Sequence, residues 1–66
     1  MHLTIITTNH GTFQGDAIDD MSLEELNSLI VLVAKGSMEF LELSVGGKQV
    51  FFPNSVISQS VFIINE

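Results

Sequence analysis

Six consecutive apolar residues, Leu29-Ile30-Val31-Leu32-Val33-Ala34, lie inside a segment whose two ends carry helix signals. At its start, Ser22-Leu23-Glu24-Glu25 has the capping-box pattern, a serine at the N-cap and a glutamate three residues on. Met21 and Leu26 stand where a hydrophobic staple would join them. Two glutamates in the first turn suit the positive end of the helix dipole. Gly36, with Lys35 before it, is a C-terminal stop. The pattern predicts a helix over Leu23–Lys35. At about 100° per residue, Leu23, Leu26, Ile30, Val33 and Ala34 form one stripe. Glu24, Glu25, Ser28 and Lys35 form the opposite face, and Val31 and Leu32 fall among them.

A helix apolar on every side needs more interior than 66 residues supply. A chain of this size buries only about 60% of the surface its unfolded form exposes. Two exposed aliphatics are ordinary on a soluble protein. In so short a chain, a subunit contact is the stronger reading of Val31 and Leu32. Small domains are stapled by disulfides, a metal or self-association. Cysteine is absent and the histidines are His2 and His10 alone. A structural zinc site is therefore not expected, and self-association remains.

The flanking segments read as sheet. Leu3 to Thr8 is β-branched and strand-like. Asn9-His10-Gly11 is a turn, and Thr12 to Asp16 returns. Met38 to Val45 alternates, with Leu41, Leu43 and Val45 on one face and Met38, Phe40, Glu42 and Ser44 on the other. Gly46-Gly47 makes a tight hairpin turn, Lys48 to Phe52 returns, and Pro53-Asn54-Ser55 ends that strand. Val56-Ile57 is ambiguous. Ser60 to Asn65 is a last strand, with Val61 and Ile63 opposite Phe62 and Ile64. The expectation is a single α+β domain over residues 1–66, one helix on a small antiparallel sheet in the order ββαβββ, and homo-oligomeric. One helix covers one face of a sheet. The last strands, apolar on both faces, call for a second subunit at Phe62 and Ile64 as well as at Val31 and Leu32.

Charge narrows the partners. Eight acidic residues against two lysines, Lys35 and Lys48, give a formal charge of −6 with no arginine. Binding to nucleic-acid backbone rests on Lys and Arg neutralising phosphates, and attraction to anionic lipid rests on the same charges. Both are disfavoured. No run approaches the ~18 apolar residues of a membrane span, and no signal-peptide pattern appears. The cytoplasm is the expected compartment.

No catalytic motif stands out: there is no nucleophile elbow and no phosphate loop, so a non-enzymatic protein without cofactor is expected. His10 reads as a solvated turn residue. Asp16, Asp19 and Asp20 cluster before the helix without the calcium-loop spacing, so no metal is expected. Asp16, Asp19, Asp20, Glu24 and Glu25 form an acidic edge that could meet a basic protein groove. Polar groups gather at strand ends and turns, among them Asn9, His10, Thr12, Asn54, Ser55, Ser58, Gln59 and Ser60. A ligand site at subunit junctions would draw on His10, Thr12, Lys48, Phe51, Asn54 and Ser58.

The order of the pieces resembles small orphan proteins of phages and prophages of Gram-positive bacteria, of the anti-defence type. Those pieces are Ile5-Ile6-Thr7-Thr8, Gly11-Thr12-Phe13-Gln14-Gly15, Ser22-Leu23-Glu24-Glu25-Leu26, Phe40-Leu41-Glu42-Leu43, Val50-Phe51-Phe52-Pro53 and the apolar end. The resemblance is one of layout across most of the chain, and no residue roles transfer with it. It implies a protein that binds and disables a host factor in the host cytoplasm. Some such proteins sequester cyclic nucleotide signals inside homo-oligomers. Others, such as uracil-DNA glycosylase inhibitors, imitate DNA with carboxylates. The expected function is thus capture of a small nucleotide-like signal at subunit junctions. The alternatives are an acidic inhibitor of a host enzyme and a purely structural self-associating subunit.

Overall fold

Alternation along the strands decides how this chain folds. A computed structural model describes all 66 residues. It shows β1 (His2–Ile6), β2 (Thr12–Gln14), α1 (Leu23–Ala34), β3 (Phe40–Val45), β4 (Lys48–Pro53), α2 (Asn54–Ile57) and β5 (Val61–Asn65). The fold is α+β with the strands in the expected order around the long helix. The strands form two antiparallel sheets rather than one, β2-β1-β5 and the hairpin β3-β4. Both edges of β1 are taken, by β2 and β5, and the hairpin pairs with neither of those strands. It packs face to face against the first sheet instead.

The inner faces meet in one core. Leu3 and Ile5 of β1, Leu41 and Leu43 of β3 and Phe52 of β4 are buried with Leu26, Ile30 and Val33 of α1 and Ile57 of α2. In the first sheet, Ile5 stands between Phe13 and Phe62, and Leu3 stands opposite Ile64. Phe62 and Ile64, expected on an outward face, are therefore half-buried against the core. The outward face of β5 carries Val61 and Ile63, exposed by 59% and 45%. An unbroken run of apolar residues shows no alternation, and the register with β1 assigns its faces.

The helix follows its caps. The Ser22 hydroxyl accepts from the Glu25 N–H at 3.2 Å, and the Glu25 carboxylate accepts from the Ser22 N–H at 3.1 Å. Lys35 is the C-cap. Beyond it, Ser37 N–H bonds to Leu32 O at 2.9 Å and Gly36 N–H to Val33 O at 3.0 Å, a Schellman ending. The buried stripe is narrower than expected: Leu23 and Ala34 are exposed, and Leu29 is half-buried instead. Val31 and Leu32 lie exposed on the far side, as expected. The ambiguous Val56-Ile57 belongs to α2, a single turn that sets Ile57 into the core beside α1. No helix is long and apolar enough to cross a membrane.

Asp16 holds the two sheets together. Its N–H donates to Ser44 O at 2.7 Å. Its carboxylate accepts from Gly46 N–H at 2.9 Å and Gly47 N–H at 2.8 Å. Both glycines have positive φ, 59° and 80°, the type I′ geometry of a two-residue hairpin, which turns both amides toward Asp16. Charge-assisted bonds of this kind are the stronger class. Asp16→Ala is expected to lower stability by about 1–2 kcal/mol, read as a lower urea midpoint. Asp19→Ala, in the same acidic stretch, should leave that midpoint in place.

Candidate binding groove

A concavity of about 550 Å³ runs along the free edge of β3. One wall is the strand itself: Phe40, Leu41, Glu42, Leu43 and Ser44 all line it. Successive strand residues point to opposite faces. Five in a row can line one groove because the strand presents its edge there, with unpaired backbone groups. The opposite wall is Ala17, Ile18, Asp20 and Met21 of the connecting loop, with Leu26 and Leu29 of α1. Leu3 lines it from the first sheet and Met38 from the segment before β3. The Asp16 N–H to Ser44 O bond crosses from loop to strand and ends the groove on that side.

Its chemistry is apolar with acidic lips. Eleven of the sixteen lining residues are hydrophobic. The charged ones are Asp16, Asp20 and Glu42, and neither lysine is among them. Asp16 is engaged with the hairpin amides, which leaves Asp20 and Glu42 to face an occupant. The groove opens onto the outer face of the hairpin at Phe40 and Phe51, which both line it and meet edge to face at 6.3 Å. The pair is exposed by 50% and 58%.

The residues named from sequence for a ligand site do not converge. His10 lies in a separate cleft of about 220 Å³ with Thr8, Asn9, Ser55, Val56 and Gln59. Part of the polar cluster expected at strand ends is thus brought together, the first turn meeting the region around α2. The Thr8 hydroxyl donates to Gln59 O at 3.3 Å across this junction. The His10 N–H is spent on Thr7 Oγ1 at 2.9 Å, and that hydroxyl donates to Gly11 O at 2.7 Å. Thr12 pairs with Ile6 on the outward face of the first sheet. Lys48 opens β4 and Asn54 follows its end, so a strand of roughly 17 Å separates them. Ser58 donates its hydroxyl to Ser55 O at 3.3 Å. Phe51 borders the β3 groove. Asn54 and Ser58 share α2, as its first residue and its C-cap, and are joined by the Ser58 N–H to Asn54 O bond at 2.9 Å, whereas strand length and strand face keep Lys48 and Phe51 away from them within one chain.

No group of three or more His, Asp or Glu side chains is placed to hold a metal ion. The groove itself had no signal in the sequence, since an open strand edge is a matter of which strands pair. Comparison of the chain with protein-family models, with curated proteins and with solved structures finds no match.

Proposed function

We propose that this chain is a non-catalytic protein-binding module that engages an extended, apolar segment of a partner protein along β3. The observation that carries the reading is the open edge of β3 lying in a concavity of about 550 Å³, lined by apolar side chains and by Asp20 and Glu42. An added strand would find backbone donors and acceptors along the edge, and side-chain pockets beside it. The acidic lips and the charge of −6 select for lysine or arginine flanking the apolar run. This is the acidic-inhibitor alternative with its binding element moved from the helix start to β3. It accords with the layout resemblance to anti-defence proteins that act by binding a host factor, here in the cytoplasm.

Selection from a random peptide library against the full chain tests it. Selected sequences should hold three or more alternating apolar positions flanked by basic residues. Affinity should fall at least tenfold in Glu42→Lys and Asp20→Lys, both at exposed positions, with the circular dichroism spectrum unchanged. Peptides without basic preference, or binding untouched by both changes, would exclude the groove. A second reading, capture of a small polar ligand, has the His10–Gln59 cleft in its favour. That cleft is smaller than the 300–1,000 Å³ usual for ligand pockets and has no lysine in its lining. It would need a second subunit to complete it.

A further inference from the structure

The two edges of the first sheet are unlike each other. The β2 edge is three residues long, with Thr12 and Gln14 outward. The β5 edge is five residues, Val61-Phe62-Ile63-Ile64-Asn65, paired on one side alone. It has no proline, no charged side chain and no bulge in its pairing with β1. Those are the devices that keep a free edge from pairing with another chain. Its outward residues, Val61 and Ile63, lie beside Ile6, itself 37% exposed, in one apolar patch.

We infer that β5 pairs antiparallel with β5 of a second copy of this chain about a twofold axis. The two three-stranded sheets then become one sheet of six. Charge leaves this edge open to a second copy. Two chains of −6 repel, and they can meet closely only where carboxylates are missing. The outward face of the first sheet carries His2, Thr4, Ile6, Thr12, Gln14, Val61, Ile63 and Asn65, with no carboxylate among them. Backbone groups on the free edge call for an extended strand as occupant. Centring the axis on Ile63 pairs the whole of β5. It sets Ile63 beside the partner's Ile63, and Val61 beside the partner's Asn65. On the inner face Phe62 meets the partner's Ile64, so the two cores run on across the seam. Phe62 and Ile64 then serve the core and the interface together. The β5 edge does not line the β3 groove, so each can hold or fail without the other.

The absence of cysteine makes the register readable. Opposed Cα atoms in an antiparallel pair are about 4.5–5.5 Å apart, within disulfide reach. Sedimentation of the unaltered chain should give the mass of a dimer. Ile63→Cys should oxidise to a covalent dimer that keeps the native circular dichroism. Val61→Cys alone should not, because the paired register holds each Val61 roughly 13 Å from its mate. Val61→Cys combined with Asn65→Cys should cross-link again. A monomer at several hundred micromolar would overturn the proposal. So would cross-linking by Val61→Cys alone, the result for sheets stacked face to face. Cross-linking by Val31→Cys in preference to Ile63→Cys would overturn it too, since it places the contact on α1.

Discussion

Phe52→Ala is expected to remove about half or more of the folding stability of this protein. Phe52 is buried, and its ring meets that of Phe13 edge to face at 5.0 Å. Phe52 belongs to the hairpin, opposite Leu41, and Phe13 to the first sheet, opposite Ile5. The pair therefore bridges the two sheets. Truncating a buried phenylalanine costs about 3–5 kcal/mol. A 66-residue domain has roughly 3–10 kcal/mol in total. Phe51, one residue earlier, is the control, because its ring lies 58% exposed on the other face. Phe51→Ala should cost only about 1 kcal/mol, the worth of its exposed pairing with Phe40. Urea titrations of the two variants check this directly. Equal midpoints would mean that the alternation along β4 is assigned to the wrong faces.

That contrast also marks what could be read in advance. Leu41 and Leu43 alternate with Glu42 and Ser44, so the faces of β3 were legible from side-chain type. The Ser22–Glu25 box and the Gly46-Gly47 turn were legible because each is complete within four residues. The partition into two sheets was not, since it depends on β5 returning to the free side of β1, nearly sixty residues along the chain. Val61 to Ile64 hid its faces because every residue in it is apolar. Asp16 looked like one more solvated carboxylate, and its work on Gly46 and Gly47 exists only after the hairpin arrives. The same holds for the groove. A strand edge has no period in sequence, whereas the polar residues of the His10 cleft announced themselves by type.

Gly15 should tolerate no side chain. It continues the β1–β2 ladder, its N–H donating to Leu3 O at 2.8 Å, and the His2 imidazole Nδ1 lies 3.2 Å from its carbonyl. Paired with inward-facing Leu3, it faces the hairpin. A Cβ at this position would stand 2.8 Å from Leu3 O and 2.8 Å from Cδ1 of Leu43. The first is backbone, fixed by the ladder, and the second is a side chain buried in the core. The carbonyl cannot give way without moving the ladder, and the leucine methyl can do so only by repacking the core around it. The missing side chain is thus what lets Leu43 of the second sheet approach the first. Overpacking of this kind costs about 1–3 kcal/mol, so Gly15→Ala should lose about 2 kcal/mol and Gly15→Val more. The two causes can be separated. Leu43→Val makes room on one side only, and its own loss is about 1 kcal/mol. Combined with Gly15→Ala, the double variant should lose less than the sum of the single losses, by about 0.5 kcal/mol or more. Strict additivity would show that the strain lies wholly in the Leu3 carbonyl and the β1–β2 ladder. The approach of the hairpin would then owe nothing to Gly15.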